Sequence, residues 1–209
     1  MVPFYTYFAG IGLGFLLVEV SQLQRLNIFL GHPTYALSVV LFSVLLSSGV
    51  GSMLSERFLR RGGATASLAP LAALIVALGI FGIVTPEVIG RMDGATTPVR
   101  IAVAVGIIFP LGLLMGMPFA IGMRAASARP GVPTAFLWGI NGATSVCASV
   151  FGVVISLFFG IAAAFTVGAL AYAAALVSLL VITRTGPVGE PAVVEEPVPE
   201  RIPAAAGVG

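Results

Sequence analysis

Six long apolar runs dominate the chain and decide what it can fold into. A transmembrane helix needs about 20 largely apolar residues, and each run reaches that length. Only 9% of the 209 residues are charged and 58% are hydrophobic, whereas soluble domains carry about 25% charged residues. This composition does not fit a soluble enzyme, a nucleic-acid-binding protein or a disordered protein. The runs cover about residues 4–30, 34–54, 67–89, 99–123, 134–159 and 161–183.

These runs predict an all-α, polytopic membrane protein, with a bundle of about six transmembrane helices over residues 1–184. The link between the last two runs is very short and contains Gly160, so we expect these helices to form an antiparallel hairpin. Residues 185–209 are rich in Pro, Glu, Val and Ala. Because such a segment cannot bury enough apolar surface to offset its ordering entropy, we predict a disordered tail.

Arginines set the predicted orientation, because all ten basic residues are arginine. Short cytoplasmic loops of membrane proteins carry an excess of Lys and Arg. The side that holds the N-terminus has the larger share, and the opposite side has Arg25, Arg91 and Arg100. We therefore predict a bacterial cytoplasmic (inner) membrane protein with both termini and the tail in the cytoplasm. The arginines on the N-terminal side are Arg57, Arg60, Arg61, Arg124, Arg129 and Arg184.

The excess of positive charge is small, with a formal net charge of +2. The sequence lacks the basic stripe with interleaved aromatic residues that binds nucleic acid. Its expected partner is instead the anionic surface of the lipid bilayer.

Glu19 is the only acidic residue well inside an apolar run, where a charge is costly. Gln22 and Arg25 follow at intervals of three, so the three side chains span an arc of about 120° on one helix face. Glu19 could bond Gln22, and Gln22 could reach Arg25. Two interpretations are open. One is a polar pocket or proton-linked site near the outer leaflet, and the other is a satisfied polar cluster that holds helices together.

His32 and Tyr35 follow at the end of the first run, on either side of Pro33 and Thr34. Both are candidate ligand contacts. His32 could also be a lone axial haem ligand shared with a partner, or a loop residue that caps backbone carbonyls at the membrane surface. One histidine and one cysteine cannot build a metal site alone, so we predict no metal, no cofactor and no catalytic residue.

Three features of the apolar runs concern helix breaks and packing. Pro110 and Pro118 should kink or break the fourth helix; broken helices line substrate sites in many transporters but also occur as plain kinks. Asn141 could bond across a helix contact or contact a ligand. The glycine-rich segment 10–14 is not G-x-G-x-x-G and lies within a transmembrane run, so it indicates close helix packing rather than dinucleotide binding.

Several motifs together resemble the membrane portion of prokaryotic spermidine-synthase-like integral membrane proteins. They are GLGFLLVE at 12–19, QR at 24–25, FLGHPTYA at 29–36, GMPF at 116–119 and WGINGA at 138–143. The resemblance covers about residues 4–183, although Ala120 replaces a proline common in that family. It implies membrane helices joined to a soluble aminopropyltransferase domain. The nucleotide-binding sheet and acidic polyamine site of such a domain are not found in this sequence, so we expect a free-standing membrane portion or a piece of a larger protein.

The leading functional hypothesis is a non-enzymatic membrane module that binds or anchors a partner, such as a synthase-like domain, a larger membrane complex or a second copy. An alternative is a transporter or binding protein for a polyamine-like cation, because an acidic residue in the membrane could pair with an amine. A third is the membrane component of a spermidine-synthase-like enzyme. The candidate ligand contacts are Glu19, Gln22, Arg25, His32, Tyr35, Pro118 and Asn141.

Overall fold

The computed structural model describes residues 1–61, 64–92 and 94–185, and this part of the chain is helical, without strands. The predicted all-α fold is therefore confirmed. The predicted disordered tail, residues 185–209, lies outside the described residues except for Thr185. The helices of the described part are α1 (Val2–Leu30), α2 (Pro33–Arg61), α3 (Ala64–Arg91), α4 (Thr97–Met115), α5 (Met117–Ser127), α6 (Thr134–Phe159) and α7 (Ile161–Thr185).

Six segments of the described chain are long and apolar enough to span a bilayer, and α4 with α5 forms the fourth of them. They contain 25 to 31 residues, which corresponds to about 38–46 Å of helix at 1.5 Å per residue. A hydrocarbon core is about 30 Å thick, so each segment can cross it with both ends at an interface. The chain is a multi-pass membrane protein with six spans, as the hydropathy pattern predicts.

The fourth span is interrupted at one of its two prolines. Pro110 lies inside α4, whereas Pro118 lies in the first turn of α5. Gly116 separates the two helices. Because the first turn of a helix does not use its backbone N–H groups, proline is tolerated there. The interruption therefore falls beside Pro118, at Gly116, whose backbone stays in the right-handed helical region with φ −74° and ψ −21°. The helix α4 continues through Pro110.

The helix α1 is the centre of the bundle. It packs most extensively against α7 and α6, and it also contacts α2, α4 and α5. In its apolar segment 56% of the residues are buried, compared with 11% in α6. On the other side of the bundle α2 packs mainly against α4, and α3 packs mainly against α7. The polar residues of α1 are thus carried among several neighbouring helices.

Glycines of the segment 10–14 allow α1 to approach its neighbours closely. A Cβ atom at Gly10 would lie 2.9 Å from the Ala171 carbonyl oxygen, and one at Gly14 would lie 2.7 Å from the Tyr172 ring. A Cβ atom at Gly12 would lie 2.6 Å from the Asn141 carbonyl oxygen of α6. These distances are shorter than real Cβ contacts. The predicted close-packing face is confirmed, and it contacts two helices at once.

Gly160 alone joins α6 to α7. Its φ is 88°, a left-handed conformation that glycine adopts at little cost. The two helices also contact each other directly. The predicted hairpin of the last two spans is confirmed.

Candidate functional site

The second half of α1 carries the three polar residues that the sequence groups together. Glu19 is half-buried, and its carboxyl makes no ion pair or hydrogen bond with another described residue. Gln22 is 1% exposed, and both polar atoms of its amide are buried without a hydrogen-bond partner in the described chain. The Arg25 guanidinium lies over the Phe165 ring of α7, 4.9 Å from its centroid.

The expected chain of hydrogen bonds from Glu19 through Gln22 to Arg25 is wrong for this structure. The three residues share one face of α1, but successive members are rotated by about 60° and so meet different surroundings. Arg25 is directed to an aromatic face, which attracts a guanidinium. A buried polar group without a partner costs about 1–3 kcal/mol. The unsatisfied amide of Gln22 therefore retains a capacity to bind a polar group.

Two buried hydroxyl groups without a partner were missed in the sequence. Tyr172 of α7 is 1% exposed, and its hydroxyl is buried without a partner in the described chain. The Tyr172 ring packs closely against Gly14 of α1, where a Cβ atom would lie 2.7 Å from it. The Thr85 hydroxyl of α3 is likewise buried and unpartnered among the described residues. A tyrosine hydroxyl within an apolar run was the available signal, because such a group usually requires a partner when buried.

His32 and Tyr35 lie outside the bundle interior. Both are exposed at the turn between α1 and α2, and their rings make an edge-to-face contact with centroids 5.6 Å apart. The His32 backbone carbonyl accepts a hydrogen bond from the Ala36 amide at the start of α2. The structure therefore places these two candidates together at an exposed end of the bundle and apart from the buried Gln22.

Pro118 is buried at the break of the fourth span, where it contacts the centre of the bundle. The Tyr7 hydroxyl of α1 donates a hydrogen bond of 2.6 Å to the Pro118 carbonyl oxygen. Tyr7 is fully buried. Pro118 is thus tied to α1 through its backbone, and in the structure it contributes a structural contact at the break.

A cavity of about 450 Å³ lies beside this break. Asn141 and Ser145 of α6 face it across from Ser48 and Ser52 of α2, and Gly116 forms part of its wall. The hydrogen bond expected across this helix contact is made by Ser145, whose hydroxyl donates to the Gly12 carbonyl oxygen at 3.3 Å. Asn141 lines the cavity, and its side-chain oxygen lies 3.1 Å from where a Cβ atom at Gly12 of α1 would be. The cavity is thus a second place where polar groups meet within the bundle.

Several arginines have structural roles at helix ends. The Arg100 guanidinium donates to the Phe29 carbonyl oxygen at 2.8 Å, near the end of α1. Arg129 donates to the Ile182 carbonyl oxygen near the end of α7. The last carbonyls of a helix have no partner within it and carry partial negative charge, so a guanidinium stabilises them. Arg124 forms an ion pair with Glu56.

No protein family, curated protein or solved structure matches the chain. The resemblance to spermidine-synthase-like membrane proteins therefore stays a prediction. Among the described residues, no group of three His, Cys, Asp or Glu side chains could hold a metal ion. The candidate sites are the polar groups around Glu19 and Gln22, and the cavity at the break.

Proposed function

We propose that this membrane bundle binds a polyamine-like cation at Glu19. The observation that carries the proposal is a half-buried carboxyl within a membrane span that has no partner in the described chain. A charge at that depth usually faces protein or a water-filled cavity and pairs with another group. The ammonium group of an amine would supply the positive charge that pairs with the Glu19 carboxylate.

The surroundings of Glu19 support an amine rather than a purely structural role. The unsatisfied amide of Gln22 follows one turn later on α1, and its oxygen can accept a hydrogen bond from an ammonium. The Tyr172 ring packs against Gly14 of the same helix, and its buried, unpartnered hydroxyl is another hydrogen-bond acceptor. Arg25 is directed onto Phe165 rather than paired with the acid. The resemblance to spermidine-synthase-like proteins suggests polyamines as the first amines to test.

The test compares two acidic residues with different surroundings. Spermidine binding to the purified protein in mild detergent is measured by thermophoresis for the wild type, Glu19→Gln and Glu87→Gln. Glu87 is an exposed surface acid that pairs with Arg91 one helical turn away. We expect Glu19→Gln to weaken binding at least about tenfold, since a hydrogen bond to a charged group is worth about 1.5–3 kcal/mol, and Glu87→Gln to change little. Equal affinity of wild type and Glu19→Gln would refute the proposal.

Transport of the same amine is a separate step that the broken fourth span favours. Broken helices at membrane depth line the substrate sites of many transporters. The test is uptake of labelled spermidine into proteoliposomes, with Glu19→Gln as the comparison. Uptake by the wild type that the variant loses would support transport, whereas binding without uptake would leave the chain a binding protein.

A protein partner, or a second copy of the chain, is the second candidate function. The observation that favours it is the sparse burial of α6, whose apolar segment is only 11% buried. Gly139, Gly142 and Ala143 lie on its exposed surface, and small residues let transmembrane helices approach closely. Cross-linking in native membranes should give a specific complex that Gly139→Leu disrupts and Gly79→Leu on α3 does not. A complex unaffected by Gly139→Leu would refute this site.

We further propose the bacterial cytoplasmic membrane as the location, with both termini in the cytoplasm. The arginine distribution and the even number of spans support this orientation. Aminopropyl transfer in the presence of a separate synthase remains the assay for the enzymatic hypothesis, with a decarboxylated sulfonium donor and putrescine as substrates. No transfer above that of the synthase alone would remove it.

A further inference from the structure

We infer that the face between α2 and α5 is a binding groove for an anionic phospholipid of the surrounding bilayer. Two cavities meet on this face of the bundle. The cavity at the break of the fourth span has a volume of about 450 Å³, and a second of about 900 Å³ lies between the C-terminal half of α2 and the helix α5. Ser52 lines both of them, and the neighbours Phe119 and Ala120 line one each. The two cavities therefore form one continuous groove.

The length of this groove matches one leaflet. Its wall on α2 extends from Leu45 to Arg57, which is about 18 Å of helix at 1.5 Å per residue. Half of a bilayer's hydrocarbon core measures about 15 Å. A hydrocarbon chain that entered at Arg57 would thus reach the broken helix near the middle of the membrane.

The groove is open to the side, where the bilayer lies. Leu45 and Met53 of α2 are 69% and 77% exposed. Gly49, between them, would accept a Cβ atom without any contact within 4 Å. Surfaces of this kind at membrane depth face acyl chains rather than water. A lipid can therefore enter laterally, without crossing the interface as a water-soluble ligand must.

The charge at the mouth of the groove selects an anionic head group. Two arginines and one acid line it: Arg57, Arg124 and Glu56. Arg124 and Glu56 neutralise each other in an ion pair. The exposed Arg57 has no ion-pair or hydrogen-bond partner within the described part of the chain. A guanidinium binds phosphate oxygens through two parallel hydrogen bonds, so the free charge of Arg57 favours a phosphate that carries net negative charge.

This lipid site is separate from the amine site at Glu19, because it depends on Arg57 and Gly49 and its ligand has the opposite charge. The test is native mass spectrometry of the full chain in mild detergent, titrated with phosphatidylglycerol or with phosphatidylcholine of the same acyl chains. We expect phosphatidylglycerol to bind in a saturable one-to-one series and phosphatidylcholine to bind more weakly.

Two pairs of variants test the head-group and chain contacts independently. Arg57→Gln should weaken phosphatidylglycerol binding about tenfold, since one charge-assisted contact is lost, whereas Arg91→Gln, at an exposed arginine outside the groove, should not. Gly49→Leu should fill the groove and weaken binding of both lipids. Gly79→Leu should have no effect, because Gly79 lies in equally open space on α3.

Three results would overturn the inference. One is equal binding of the two lipids by the wild type, and another is unchanged phosphatidylglycerol binding in both Arg57→Gln and Gly49→Leu. The third is a dimer that excludes lipid and is lost in Gly49→Leu, because a second copy of the chain would then be the occupant. Since both substituted positions are exposed, loss of folding is not expected, and the thermal stability of each variant provides the check.

Discussion

The stability of the bundle should respond differently to removal of the hydroxyl group from each of its two fully buried tyrosines. Tyr7 is 0% exposed and donates a 2.6 Å hydrogen bond to the Pro118 carbonyl oxygen. Tyr172 is 1% exposed, and its hydroxyl has no partner in the described chain. Phenylalanine keeps the ring and its packing in both cases. The pair of variants therefore isolates the contribution of a satisfied hydroxyl from that of an unsatisfied one.

The expected magnitudes follow from what each hydroxyl contacts. Tyr7→Phe removes a buried hydrogen bond, which contributes about 0.5–1.5 kcal/mol to stability; bonds between membrane helices average about 0.6 kcal/mol and reach about 1.7. We expect Tyr7→Phe to lower the free energy of unfolding by about 1 kcal/mol. Tyr172→Phe removes a hydroxyl that was desolvated without compensation. Its stability should stay within about 0.5 kcal/mol of the wild type or increase by about 1 kcal/mol.

The assay is reversible unfolding of the purified protein, from mild detergent into sodium dodecyl sulfate. Trp138 is the single tryptophan, and its ring contacts Phe119 of α5 with centroids 5.4 Å apart. Its fluorescence therefore reports on packing near the break. A loss in Tyr172→Phe equal to or larger than that in Tyr7→Phe would refute the reasoning, since the Tyr172 hydroxyl would then have a partner.

Three further predictions concern packing, helix ends and orientation. Gly51→Ala should lower the free energy of unfolding by about 1–3 kcal/mol, because its Cβ atom would meet the Leu113 backbone carbonyl of α4. Gly49→Ala, at a position in open space, should leave it unchanged in the same assay. Equal effects of the two substitutions would contradict the contact. Arg100→Gln should lower the free energy of unfolding by about 1 kcal/mol, because it removes the hydrogen bond to the Phe29 carbonyl oxygen. An unchanged unfolding midpoint would mean that this contact does not stabilise the bundle. A green fluorescent protein fused to the C-terminus should fluoresce and a fused alkaline phosphatase should be inactive, since the arginine excess predicts a cytoplasmic C-terminus; the reverse pattern would invert the orientation.

The sequence alone predicted the spans of the bundle, because hydropathy and length suffice for that feature. A backbone that crosses hydrocarbon must satisfy its hydrogen bonds within the segment, so about 20 apolar residues in a row specify a helix. The glycines of segment 10–14 were equally informative, since closely spaced small residues in a span indicate close packing. The break was predicted in part, because both Pro110 and Pro118 indicated one, and the structure interrupts the span only at Gly116, beside Pro118.

The candidate site was predicted less completely than the fold. Spacing placed Glu19, Gln22 and Arg25 on one helix face, but it could not show that Arg25 is directed onto Phe165 and not toward the acid. The direction of each of these side chains depends on which neighbouring helix packs against that side of α1. Pro33 indicated that His32 lies at a helix end. The exposure of His32 depends instead on the angle between α1 and α2, which the sequence does not specify.

Membrane insertion, helix ends and the need of each polar group for a partner follow from local physics, so they can be read from the amino-acid sequence. Which partners meet depends on how the helices pack. The Tyr7 hydroxyl reaches the Pro118 carbonyl oxygen across 111 positions of the chain, and the cavity at the break is walled by four spans. Such pairings depend on the order in which helices pack around α1, and inside a bilayer that order is set by shape and small-residue contacts rather than by hydrophobicity, since lipid is as apolar as the helices.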